Sequence, residues 1–149
     1  MELKMSLQKW VEYGWLRSHK TGKKEIADLL RIIDRDLQDA TRDISADWRF
    51  GITYNAALKL CTILLYAEGC RPEKNLPHYR TIQALPLILG EKHEQDAQYL
   101  DTCRTKRNVV EYDYVGSVTE ADVTELIGCV NELRDGVLHW LNERHALLL

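Results

Sequence analysis

The chain has 149 residues, 45% hydrophobic and 29% charged, which suits one domain with a sizeable core; a formal net charge of −3 argues against general coating of nucleic acid and leaves room for a local basic site. Cys61, Cys70, Cys103 and Cys129 form no Cys-x-x-Cys pair and no zinc-site spacing with histidine, so no metal or cofactor is expected and the thiols read as reduced, packed side chains of a cytoplasmic protein. Met1-Glu2-Leu3-Lys4 lacks a positively charged region feeding a long apolar run, and no window is expected to approach the roughly eighteen apolar residues of a membrane span, so neither a leader nor membrane association is expected.

Three prolines and eight glycines punctuate the chain, and the segments between them carry helical rather than alternating periodicity, which predicts an all-α, up-down bundle of about five main helices. Leu3, Leu7, Trp10, Val11 and Leu16 mark a first helix over residues 3–18, weakened at Gly14, with Trp15 at its rim. Residues 18–24 form a basic loop that lacks the rest of a phosphate-binding P-loop. Ile26, Leu29, Ile33, Leu37, Ala40 and Ile44 recur at threes and fours, predicting an amphipathic helix over 25–44 with mixed charge on its outer faces.

Ser45 is placed to cap a third helix over 46–68, ended by Gly69. Its broad apolar face makes it the centre of the core, and Ala56 and Ala57 allow a neighbour to approach closely. Residues 71–77 read as a turn-rich connection. A short helix from His78 to Leu85 is expected to stop at Pro86. After the next helix and a break at 115–118, Thr119-Glu-Ala-Asp122 forms a capping box that opens a last helix reaching about residue 143 or 144. The apolar tail 146–149 is expected to dock on the body or on a partner.

The chemistry is concentrated in Asp96-Ala-Gln-Tyr-Leu-Asp-Thr-Cys-Arg-Thr-Lys-Arg-Asn-Val-Val-Glu-Tyr-Asp-Tyr114, where basic side chains, an amide, acids and two tyrosines gather at the end of one helix. On an ideal helix, Leu100, Cys103, Arg107, Val110 and Tyr114 share a face, with Asn108 and Tyr112 lying roughly 100 to 140° around. Arg107 therefore points into an apolar side. A buried guanidinium needs a carboxylate such as Asp101 or Glu111, or a bound phosphate. In one reading Arg107 is a tie between helices, with Asn108 capping backbone and Tyr112 and Tyr114 packing as amphipathic aromatics. In the other, Arg107 with Arg104 and Lys106 presents a forked cation to a phosphate.

This segment resembles the signature of the HEPN family (higher eukaryotes and prokaryotes nucleotide-binding), in which Arg, usually followed by Asn, precedes a His by four to six residues. Arg107-Asn108 matches the opening, Tyr112 stands where the His is expected, and Tyr114 matches the tyrosine that follows in toxins paired with a nucleotidyltransferase antitoxin. Tyr54-Asn-Ala-Ala-Leu-Lys59 and Leu64-Leu-Tyr-Ala-Glu-Gly69 also look like a HEPN core helix, which extends the resemblance to residues 25–145. The family also often carries a His before a short helix near the place of His78; the plainer reading of His78 is an exposed residue at a helix start.

The resemblance implies a HEPN-like bundle over residues 1–149, a homodimer, and a toxin–antitoxin or defence setting. It implies a metal-independent endoribonuclease in which Arg107 stabilises phosphorane charge, Asn108 orients, and Tyr112 takes the proton-transfer position with His78 as a possible helper. Tyrosine titrates near 10, so this exchange removes a contribution worth about 10²–10⁴ in rate. The resemblance further implies binding roles for Arg104, Lys106, Glu111 and Tyr114, and a nucleotidyltransferase-type antitoxin as partner, with Tyr114 the position it would modify. Two other readings stay open: a degenerate module that binds RNA, nucleotide or a partner without cleavage, and a structural dimerising bundle.

Overall fold

The computed structural model describes residues 2–112 and 117–149, with side chains described for residues 7–108 and 117–149. Six helices dominate among the described residues: α1 (Glu2–Glu12), α2 (Lys23–Asp39), α3 (Ala46–Ala67), α4 (His78–Leu89), α5 (Glu94–Tyr112) and α6 (Glu120–Arg144). The fold is all-α, with one small two-stranded ribbon of β1 (Leu16–Ser18) and β2 (Cys70–Pro72).

The central element is α3. It is opened by Ser45, whose hydroxyl accepts the Trp48 N–H at 3.4 Å, and it packs against α2, α4, α5 and α6. Tyr54, Ala56, Leu60, Cys61, Ile63, Leu64 and Leu65 along it are fully buried. An eighteen-residue window of α3 has a mean hydropathy of 1.3, long and apolar enough to cross a membrane. That corrects the expectation that no such window exists; 61% of the window is buried inside the molecule, as suits a helix packed on several sides. The capping box opens α6 as expected, with Thr119 and Asp122 each accepting the other's backbone N–H.

Three expectations are corrected. The first helix ends at Glu12 rather than Ser18. Gly14 takes a φ of +80°, a conformation that favours glycine, and turns the chain into β1, which pairs antiparallel with β2 in the register Leu16↔Pro72, Arg17↔Arg71, Ser18↔Cys70. The second helix ends at Asp39 rather than Ile44, because the Arg49 Nε donates to the Ala40 carbonyl at 2.6 Å while the Ile44 N–H turns back to Arg42. Pro86 does not stop α4 but lies within it. Three residues from the end, its missing N–H removes one ladder bond only, and its carbonyl still accepts from Gly90 at 2.9 Å.

Ion pairs tie the helices to one another. Lys59 of α3 donates to Asp36 of α2 at 2.6 Å, where Asp36 is 8% exposed, and Arg134 of α6 grips Asp34 of α2 through two nitrogens. In the tail, Leu148 packs against the core while Leu147 stands 93% exposed; the short turn that carries them packs on α2 and α6.

Candidate functional site at the junction of α3, α4 and α5

Leu100 and Cys103 turn the inner face of α5 into the core. One turn further on, Arg107 leaves that face and runs along α3. A Cβ at Gly51 would lie 4.0 Å from its Nε, and its guanidinium carbon stands 5.4 Å from the ring centroid of Tyr54. Gly51 and Tyr54, three residues apart, lie on one side of α3, so arginine and helix run together there.

Tyr54 is wholly buried, and its hydroxyl finds no hydrogen-bond partner among the described residues. Burial pushes its pKa up to about 12 against the opposing pull of Arg107 and Arg104. A buried hydroxyl without a partner is costly and uncommon.

His78 comes to the same ring from a third helix. It is the first residue of α4, after Pro77 as N-cap, and its ring lies 6.3 Å from that of Tyr54 at an interplanar angle of 37°. Burial, then the charges of Arg107 and Arg104, hold its pKa below the usual histidine value. His78 is itself exposed at the start of α4, as its plainer reading expects, and the lowered pKa favours the neutral imidazole. Helix α5 thus supplies a forked cation, α4 an imidazole and α3 the aromatic platform between them.

The other residues singled out in the sequence fare differently. Arg104 donates from Nε to Asp101 at 2.8 Å, so Asp101, one of the carboxylates considered for Arg107, serves Arg104 three residues away. The Arg104 guanidinium also lies 5.8 Å from the Tyr79 ring. Lys106 is committed to a link between helices, donating to Asp122 at 2.7 Å. That bond, with the backbone N–H of Thr119, lowers the Asp122 pKa to about 2. Asn108 is exposed on α5. Tyr112 closes α5, but its side chain and that of Glu111 lie outside the described side chains, and Tyr114 lies outside the described residues.

Tyr54, Tyr79 and Arg80 were not singled out by the sequence. The signal for Tyr54 was its polar tip within an otherwise apolar helix face. Among the described residues no group of three or more His, Cys, Asp or Glu is arranged to hold a metal ion. Compared with protein-family models, curated proteins and solved structures, the chain matches none.

Proposed function

We propose that the chain binds RNA at the Tyr54, His78 and Arg107 site and cleaves it without a metal, in the manner of a HEPN-like endoribonuclease. The observation that carries this reading is the convergence of an arginine and a neutral histidine on one buried tyrosine from three different helices. In the reaction, His78 accepts the proton of the ribose 2′-OH as that oxygen attacks the adjacent phosphorus. Arg107 holds the phosphorane charge through its forked N–H groups. The P–O5′ bond then breaks, giving a 2′,3′-cyclic phosphate; the 5′-oxygen takes a proton from solvent, and the His78 imidazolium returns its proton to solvent. His78, rather than Tyr112, performs the proton transfer, since a neutral imidazole suits general-base work at pH 7 and a phenol does not.

A second reading, binding of RNA or nucleotide without cleavage, is favoured by the two guanidiniums, Arg107 and Arg104, whose charges act at this place independently of any proton transfer. The test is incubation of wild type and Arg107→Ala with total RNA and tRNA in EDTA, with the chemistry of the new ends mapped. Fragments ending in 2′,3′-cyclic phosphate, lost in the variant, are expected. Intact RNA at high protein concentration overturns cleavage and leaves binding as the reading to pursue.

A further inference from the structure

From the candidate site a line of alternating aromatic rings and arginines leads away across α4 to the segment between α1 and β1. Arg104 lies over Tyr79 at 5.8 Å, and Tyr79 faces Arg80 at 5.1 Å. Arg80 in turn lies over Trp15 at 4.0 Å, and Trp15 packs against Tyr13 with ring centroids 5.0 Å apart. Tyr13 is 60% exposed, and Trp15, Tyr79 and Arg80 are half-buried, so the line runs along the surface. Arg104 belongs to both places, since its charge also acts on Tyr54 and His78.

A cation held between rings is on its face a clamp fixing the N-terminal segment to α4. The charge balance points further. Arg80 hydrogen-bonds to the amide oxygen of Gln83 at 3.3 Å, and among the described residues it has no carboxylate within ion-pair distance. The other arginine of the series, Arg104, is compensated by Asp101. Rings that stack bases, interleaved with planar cations for the backbone, are the combination that binds unpaired nucleic acid, whereas a duplex keeps its bases stacked on one another.

We infer that the Tyr13, Trp15, Arg80 and Tyr79 stripe is a binding track for single-stranded RNA, continuous with the Arg107 and His78 site. This inference rests on the RNA reading above. Arg80 takes a backbone phosphate, and the exposed ring of Tyr13 at the end of the aromatic series stacks a base of the strand leaving the site. It accounts for an uncompensated guanidinium at the surface of a chain whose net charge is negative.

The test uses probes that cannot be cleaved, a 2′-O-methyl oligouridylate of about twelve nucleotides, the same strand in a duplex, and a 2′-O-methyl dinucleotide followed by NMR shifts. Arg80→Gln and Tyr13→Ala each weaken the oligonucleotide about tenfold, leave the dinucleotide unaffected, and in the Arg80 variant reduce the salt slope by about one. Arg107→Ala weakens both single-stranded probes. Tyr13 is exposed enough that its variant folds even if Arg80→Gln melts early. If both variants bind the oligonucleotide like wild type while Arg107→Ala does not, the stripe is only a clamp and the site reading stands. Equal affinity for the duplex also overturns the track, and failure of wild type to bind any probe overturns track and RNA reading together.

Discussion

Arg107 stands with its guanidinium carbon 5.4 Å from the ring centroid of Tyr54, a residue with no exposed surface, whose hydroxyl has no hydrogen-bond partner among the described residues. Helix α5 thereby places its cation against α3 by a contact that draws on the ring face and leaves the phenol oxygen unused. The two parts of Tyr54 can be separated by substitution. Tyr54→Phe keeps the ring and removes an unsatisfied group, so stability is unchanged or rises by about 1 kcal/mol. Tyr54→Ala removes the platform and costs about 3–5 kcal/mol. Denaturant unfolding checks both, and a large loss in Tyr54→Phe would mean that the hydroxyl is internally bonded.

The environment of His78 makes a prediction about titration. Its folded pKa lies below the usual value, so the unfolded chain takes up the proton first, and acidification below pH of about 6.5 favours the unfolded state. An NMR titration of the His78 ring is expected to give a midpoint below that of a free histidine. Arg107→Ala and Arg104→Ala each move it upward. A midpoint unaffected by either substitution would place the arginine charges elsewhere.

Asp122 works in the opposite direction. Its pKa is lowered to about 2 by Lys106 and the Thr119 N–H, so its contribution is present above the ordinary carboxylate pKa and is lost as pH falls from about 4 towards 2. Lys106→Met flattens the stability profile across that window, and Asp122→Ala costs about 1 kcal/mol more through loss of the capping box. Urea midpoints on either side of the window test this. A profile equally steep in Lys106→Met would show that another carboxylate governs acid unfolding.

Burial pushes the thiols of Cys61 and Cys129 up to about 12 and that of Cys103 to about 11, and raises Cys70 as well. In the native protein, reaction with a disulfide reagent at pH 8 is expected to run more than about a hundredfold slower than in denaturant. Rapid modification of a thiol without unfolding would contradict the packing of that residue.

Much of the architecture was legible because it rests on local chemistry. The spacing of Ile26, Leu29 and Ile33, the Ser45 cap and the Thr119–Asp122 capping box each specify a helix or its start from a few neighbouring residues. The β1–β2 ribbon was not legible, since three-residue strands carry too little alternation to distinguish them from a helix, and Leu16 fits an apolar stripe either way. Pro86 looks like a stop in the sequence because the cost of a proline depends on how near the helix end lies, which sequence alone does not fix. At the site, Arg107 stands out as a cation on an apolar helix side, whereas His78 is named only through the family resemblance. Their meeting at Tyr54 depends on how three helices pack, and a tyrosine in an apolar stripe looks like any core aromatic until its neighbours are known.

The central claim is that His78 moves the proton that Tyr112 cannot. The most direct measurement is the cleavage rate of a single-stranded RNA in EDTA for wild type and His78→Gln, each analysed as kcat and KM. A fall in kcat of about 10²–10⁴-fold with KM nearly unchanged is expected, because glutamine keeps a polar group at the N-terminus of α4 but cannot accept the proton. Cleavage by His78→Gln at the wild-type rate would contradict it and return proton transfer to another residue.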